Sequence, residues 1–336
     1  MITRSSLRLE TPHWQKLLSG AINTPEALCE RLNLDQNQLS EAISAAKQFP
    51  LKVTEHYLNL IAPGEPNDPL LRQILPIAAE LETHANFVID PVGDKAAACG
   101  DSILQKYQGR ALLITTGACA IHCRYCFRRH YPYNEDNSIK HWPQMLHRLS
   151  KMHDVSEVIL SGGDPLSLSD HRLQQLVQAL EDLPHIKRLR IHSRLPVVLP
   201  QRITDELCQY LADSRLDCSL VVHANHPNEI DTVFTEHMRS LKQHGITLLN
   251  QSVLLSGVND DVEILCDLSE SLFAAGILPY YVHLLDKVSG AAHFAVAEGL
   301  ADTLQRKMLE RLPGYLVPRF VQEQAGAKSK TPIQYL

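Results

Sequence analysis

Six short apolar runs, each followed by an amphipathic stretch, constrain this chain more than any other feature. The runs are Ala111-Leu-Leu-Ile-Thr-Thr, Glu157-Val-Ile-Leu-Ser, Arg188-Leu-Arg-Ile-His, Cys218-Ser-Leu-Val-Val-His, Ile246-Thr-Leu-Leu-Asn-Gln-Ser-Val and Leu278-Pro-Tyr-Tyr-Val-His-Leu. Helix-like segments follow near 140–152, 169–183, 204–213, 228–244, 260–275 and 298–311. Strands that are apolar almost throughout belong in a parallel sheet covered on its faces by helices. Serial strand–helix units predict an α/β fold, a full or partial TIM-type barrel, with a doubly wound sheet as the alternative.

The first hundred residues differ in texture. Thr24-Pro-Glu-Ala-Leu offers a capping residue, a proline at the first helical position and an acidic first turn. Ser40-Glu-Ala-Ile-Ser-Ala-Ala continues in good helix formers, and Pro50, Pro63, Pro66 and Pro69 break the chain into loops. The expected organisation is an N-terminal helical region over 1–100, a six-unit barrel over 101–290 and a C-terminal helix and tail over 291–336. Net charge of −6 argues against a nucleic-acid binder held by a basic surface. No apolar run approaches the roughly 18–20 residues of a membrane span. The opening MITRSSLRLETPHWQ has no apolar signal-peptide core. Eight cysteines are too sparse for a disulfide scaffold, so a reducing, cytoplasmic setting is expected.

Polar residues gather where the runs end. Cys119, Cys123 and Cys126 follow the first, Ser161-Gly162-Gly163-Asp164 the second, and His192-Ser193-Arg194 the third. His223-Ala-Asn225-His226 follows the fourth, Asn250-Gln251-Ser252 lies in the fifth, and Asp286 follows the sixth. Chemistry in parallel α/β folds sits at the C-terminal ends of strands.

The segment Gly117-Ala-Cys119-Ala-Ile-His-Cys123-Arg-Tyr-Cys126-Phe-Arg-Arg-His spaces its thiols as C-x3-C-x2-C. Thiolates are soft ligands suited to iron–sulfur clusters and zinc. Three readings are open: buried cysteines on one helical face, a zinc site completed by His122 or His130, or a four-iron cubane with one open iron. Flanking Arg124, Arg128 and Arg129 make a poor core helix. An open iron suits catalysis better than electron transfer.

This spacing after a first barrel strand resembles the radical S-adenosylmethionine superfamily. The resemblance implies a [4Fe-4S] cluster on Cys119, Cys123 and Cys126. It further implies S-adenosylmethionine chelated at the open iron and cleaved by one electron to a 5′-deoxyadenosyl radical. Gly162, Gly163 and Asp164, some 36 residues past the third cysteine, match the family's Gly-Gly-Glu/Asp motif for the methionine amino group. Longer strings resemble lysine 2,3-aminomutase over roughly residues 90–336: Ser193-Arg-Leu-Pro-Val-Val-Leu-Pro-Gln-Arg-Ile-Thr, Asn225-His-Pro-Asn-Glu, Asn250-Gln-Ser-Val-Leu-Leu-Ser-Gly-Val-Asn-Asp, Tyr280-Tyr-Val-His and Lys330-Thr-Pro.

That resemblance implies pyridoxal phosphate as a second cofactor, because an amino group moving between carbons needs a nitrogen with a π bond. Lys330 matches the family's Schiff-base lysine, and Lys328 is its rival in Ala325-Gly-Ala-Lys-Ser-Lys330. Lys106 and Arg110 are candidates for the cofactor phosphate. Ser193, Arg194, His223, Asn225 and Gln251 are candidates for cofactor contacts, with His192 and His226 beside them. Arg128 matches the family's arginine for the substrate carboxylate. Asp286 and Glu323 match the two acids for the substrate ammonium, Glu323 standing where the family has Asp.

The chain stops six residues after Lys330, without the C-terminal extension of the fermentation mutases. It thereby resembles the short bacterial members that make (R)-β-lysine for the modification of elongation factor P. The expected partners are therefore L-lysine, an electron donor such as flavodoxin or ferredoxin, and, functionally, elongation factor P with its β-lysine ligase. No nucleic acid or membrane partner is expected. A mutase of lysine catabolism or osmolyte synthesis and a non-catalytic zinc protein are the competing readings.

Overall fold

All six apolar runs form strands close to where the pattern puts them. The computed structural model describes residues 11–133 and 138–333; residues 1–10, most of the stretch read for an export signal, lie outside them. The described strands form one sheet in sequential order. β1 (Ala98–Gly100) and β2 (Ile103–Tyr107) come first, with β2 antiparallel to both β1 and β3. The six runs are β3 (Arg110–Thr116), β4 (Glu157–Gly162), β5 (Arg188–Ser193), β6 (Asp217–Val222), β7 (Thr247–Leu254) and β8 (Leu278–Leu284), parallel neighbour to neighbour. β9 (Arg319–Gln322) extends the parallel set and β10 (Thr331–Pro332) turns back on it. Strand order never reverses, which excludes the doubly wound alternative. β1 and β10 are unjoined edges, so the barrel is partial.

Side chains bridge the open side where backbone pairing stops. Tyr107 on β2 donates to Glu323 Oε1, just past β9, at 2.5 Å, and Lys106 Nζ lies 3.8 Å from the same oxygen. The four flanking strands are absent from the sequence reading. β1, β9 and β10 have two to four residues, and β2 is apolar only at Ile103 and Leu104 before turning polar.

Four outer helices begin on side-chain caps. Ser169, Thr204, Asp231 and Asp261 accept hydrogen bonds from the first-turn amides of helices Asp170–Glu181, Asp205–Ala212, Thr232–Gln243 and Val262–Ala274. Each such start lies at the C-terminal end of the preceding strand and fixes where its loop leaves the sheet. In the N-terminal region Thr24 caps Pro25–Leu32 as read. Trp14, Leu28, Leu32, Tyr57 and Leu70 share one continuous core with Leu113, Leu160 and Ile191 of the barrel. The helical region is therefore welded onto the sheet rather than hung beside it. No described helix is long and apolar enough to cross a membrane.

Candidate active site

The three cysteines lie on an irregular loop after β3, so the helical-face reading is corrected. The loop folds through tight turns, with Cys126 N donating to Cys123 O at 3.0 Å and Arg129 N to Cys126 O at 3.2 Å. All three thiols are half-buried. The N-terminal region supplies the loop's anchors. His122 N donates to Lys52 O at 2.9 Å, Arg124 N to Gln73 O at 2.9 Å, and Lys52 Nζ to Cys119 O at 2.8 Å. Arg124 forks onto buried Glu80 at 2.8 and 2.7 Å, Arg129 reaches the same carboxylate at 2.6 Å, and both guanidiniums lie over Phe49.

The donor set fits an iron–sulfur cluster. Burial pushes all three thiols up, Cys126 to about 11, helped at Cys119 by Asp164 and the neighbouring thiols, at Cys123 by Glu229 and Asp164, and at Cys126 by Cys123. Three thiolates here need a multivalent cation to exist at neutral pH. Cationic neighbours already work in that direction: Lys52 on Cys119, Arg194 on Cys123, Arg128 and Arg129 on Cys126. The zinc reading fares worse. His122 turns Nδ1 to Pro50 O and His130 turns Nε2 to Ser289 O. Among the described residues no three His, Cys, Asp or Glu side chains converge as ligands of one ion would; thiols bound to separate irons need not.

The Gly-Gly-Asp loop after β4 is zipped to the cysteine loop. Gly163 N donates to Thr116 O at 2.7 Å and Asp164 N to Ala118 O at 2.8 Å. Gly162 has φ +110°, and a Cβ on Gly163 would stand 2.5 Å from Ala118 O. Both glycines are thus required by backbone approach. Asp164 is buried and saturated by four donors: Ser193 Oγ and the amides of Leu166, Arg194 and Leu195. It ties the end of β4 to the end of β5. The structure gives Ser193 this bracing contact and gives Arg194 a deeper one.

Arg194 belongs to a buried hub that sequence reading did not foresee. Glu229, fully buried, accepts from Arg194 Nη2 at 2.7 Å, Tyr57 Oη at 2.9 Å and Gln73 Nε2 at 3.1 Å on one oxygen. Its other oxygen takes the amides of Asn225 and His226. Asn225 in turn donates to Gln73 and to the Tyr125 hydroxyl inside the cysteine loop, and accepts from Val253 N. Asn225 and His226 therefore brace the turn after β6.

The remaining predicted charges meet at the barrel's open side. Arg128 Nε pairs with Asp94 at 2.6 Å and Nη1 donates to Ser161 Oγ. Asp94 also holds Lys106 at 2.7 Å, and Lys330 Nζ lies 2.8 Å from Glu323 Oε2 and 5.9 Å above the Tyr281 ring. Lys106 is thus committed to carboxylates, and Arg110 stacks over Tyr107 with Nε buried and unpartnered. Asp286 shares this field. Burial and the Glu323 charge raise its pKa to about 7, against the pull of Lys330 and Lys106. Glu323 shifts the other way: burial is outweighed by Lys330, Tyr107 and Lys106. A cleft of about 190 Å³, lined by Asn86, Val88, Pro91, Asp286, Gln322 and Glu323, opens onto these acids.

Between the cysteine loop and Lys330 the barrel wall carries polar atoms with nothing to bond. His192 Nε2, His223 Nε2, His283 Nε2 and Gln251 Oε1 are buried without a partner. Burial and nearby cations hold the three imidazoles neutral, His223 down to about 3. Such atoms fit a polar ligand inside the barrel. Lys52, Asp94 and Tyr107 escaped sequence reading because each stands alone in its segment, and Glu229 and His283 closed the strings Asn225-His-Pro-Asn-Glu and Tyr280-Tyr-Val-His without a role assigned to them. One signal was available: Arg124, Arg128 and Arg129 in six residues demand buried acids, though not which ones.

Comparison with known proteins agrees with this arrangement. The family model of the radical SAM superfamily matches residues 113–268. An L-lysine 2,3-aminomutase of Haemophilus influenzae is 46% identical over 96% of both chains. One of Escherichia coli is 45% identical over 97% of this chain and 96% of its own. One of Clostridium subterminale is 35% identical over 95% of this chain and 77% of its own. Radical SAM enzymes carry a [4Fe-4S] cluster and S-adenosylmethionine, and the cysteine loop here fits both. With its sheet, its thiol spacing and relatives this similar over nearly their whole length, the chain belongs to the L-lysine 2,3-aminomutase family of radical SAM isomerases.

Proposed function

We propose that this chain converts (S)-α-lysine to (R)-β-lysine, with pyridoxal phosphate carried on Lys330. The observation that carries the reading is one network of charges beside the cleft that Asp286 and Glu323 line: Lys330 pairs with Glu323, Lys106 links Glu323 to Asp94, Asp94 holds Arg128, and Asp286 lies in the field of Lys330 and Glu323. When bound, the cluster with S-adenosylmethionine would supply a carbon-centred radical for removing a substrate hydrogen, and pyridoxal phosphate would supply the aldehyde carbon that gives the substrate's own α-amino nitrogen the π bond its migration needs. The chain's own side chains do the rest. Arg128 receives the substrate carboxylate on the guanidinium edge that Asp94 and Ser161 leave. Asp286 and Glu323 receive the ε-ammonium, and Glu323 also lies 2.8 Å from the Lys330 amine. His192, His223, His283 and Gln251 offer neutral donors and acceptors to the cofactors. A closed, dry interior keeps the radical from other hydrogens.

The test is anaerobic reconstitution with iron, sulfide, pyridoxal phosphate, reductant and S-adenosylmethionine, followed by chiral analysis of the lysine products. (R)-β-lysine is the expected product. Colourless protein with stoichiometric zinc and no cleavage of S-adenosylmethionine would refute the reading.

Asp286 gives a pH signature. Its folded pKa is raised, so the stability tied to its neutral form is present at low pH and is lost as pH rises through about 7. An ammonium ligand needs the ionised form. The KM for lysine is therefore expected to fall from about pH 6 to about pH 8, by up to roughly tenfold per unit below the pKa. The charged groups that face Asp286 are Glu323, Lys330, Lys106 and Asp94. In Asp286→Asn the profile flattens and KM rises; a pH-independent KM in the parent chain contradicts the assignment.

We further place the product in the β-lysylation of elongation factor P in the cytoplasm, with a flavodoxin- or ferredoxin-type donor. Identity to the Haemophilus influenzae and Escherichia coli enzymes over nearly equal lengths supports that grouping. Intact-mass analysis of the factor from a strain lacking this chain tests it: the β-lysyl addition should vanish, and its persistence excludes the pathway.

A further inference from the structure

Each cysteine of the loop has a cation beside it, but the cations are not equivalent. Arg194, near Cys123, is neutralised by Glu229 at 2.7 Å. Arg128 and Arg129, near Cys126, pair with Asp94 and Glu80, both at 2.6 Å, carboxylates they share with Lys106 and Arg124. Lys52, near Cys119, is different. Its amine donates to the Cys119 carbonyl at 2.8 Å, and among the described residues no carboxylate pairs with it or contributes to its electrostatic field. Its backbone is pinned on both sides. Lys52 O accepts from His122 N, and adjacent Val53 exchanges both hydrogen bonds with Ile22, at 2.9 and 2.8 Å. The half-buried side chain therefore spans the Cys119–Cys123 turn from a fixed base. A lysine in the helical region would ordinarily be a solvated surface charge.

We propose that Lys52, a cation of the cluster site with no carboxylate of the described residues against it, raises with its ammonium the reduction potential of the iron–sulfur cluster bound by Cys119, Cys123 and Cys126. Reduction adds one electron, and so one negative charge, to the cluster from an external one-electron reductant. A fixed positive charge beside one ligand stabilises the reduced form over the oxidised form. The three arginines contribute less because a carboxylate lies against each, Glu80 being shared with Arg124 and Asp94 with Lys106, whereas Lys52 has none among the described residues. The role gives the N-terminal region a part in the chemistry, and it requires only the cluster, not the identity of the amino-acid substrate.

The test uses the full chain, reconstituted anaerobically, with Lys52→Gln and Lys52→Arg. Glutamine keeps a donor for the Cys119 carbonyl without the charge; arginine keeps the charge. Iron content, the electron paramagnetic resonance signal of the reduced cluster and its midpoint potential are measured without S-adenosylmethionine. Lys52→Gln should hold a full complement of iron with its midpoint shifted to lower potential, and Lys52→Arg should stay close to the parent. The proposal is overturned if Lys52→Gln leaves the midpoint unchanged, or if both variants shift alike, since geometry would then matter and charge would not. Loss of iron from Lys52→Gln with retention in Lys52→Arg also overturns it, because the charge would then serve assembly.

Discussion

Replacing Glu229 by leucine is expected to cost about 3–5 kcal/mol of folding stability, the range for breaking one side of a buried ion pair. The carboxylate is fully buried and satisfies five donors at once. Removing it leaves Arg194 charged in the interior, beside a Tyr57 hydroxyl and a Gln73 amide that lose their acceptor. The pair also stiffens the protonated guanidinium: burial disfavours the charge, but Glu229 outweighs it. Urea unfolding of the reconstituted protein should show the midpoint fall with an unchanged slope. Adding Arg194→Met to Glu229→Leu should recover part of the loss, because an apolar pair no longer strands a charge. A loss below about 1 kcal/mol would mean that the hub is not what joins the N-terminal helices to the barrel.

This hub marks the boundary of what the sequence makes legible. β3 to β8 were readable because each carries a short apolar run and is followed by an amphipathic helix, so the information is local. β9 reads Arg319-Phe-Val-Gln and is a strand only because β8 offers an edge, at Tyr281, Val282 and His283. β2 is held in the same way by β3. The cysteine trio, Arg128, Asp286, Glu323 and Lys330 were readable through spacing and resemblance. Their counter-charges were not, since Glu80 reaches Arg124 across 44 residues and Tyr57 reaches Glu229 across 172. Nothing in a segment announces a partner that folding alone delivers. Some readable residues also carry structural contacts beside the role expected of them. Asp164 and Asn225 have their hydrogen bonds committed to loop backbones and neighbouring side chains, so they shape the pocket through those loops.

Lys330→Ala is expected to reduce β-lysine formation by at least roughly a hundredfold, the lower end of what a positioned proton-transferring side chain contributes. It should also abolish the pyridoxal phosphate absorbance that survives desalting. Lys328→Ala should leave both unchanged. The two lysines are two residues apart, but the fold separates them. Lys330 is half-buried, with its amine 2.8 Å from Glu323 and over the Tyr281 ring, within the field of His192, His223 and His283. Lys328 lies exposed on the turn before it. Glu323 and Tyr107 hold the Lys330 amine at the seam where the two sheet edges meet, so it reaches the barrel interior without strand pairing to fix it. Iron content and cleavage of S-adenosylmethionine should persist in Lys330→Ala, which separates loss of the cofactor lysine from loss of the cluster. Cofactor loss in Lys328→Ala with retention in Lys330→Ala would move the attachment to the surface turn, and the seam would then be a structural latch alone.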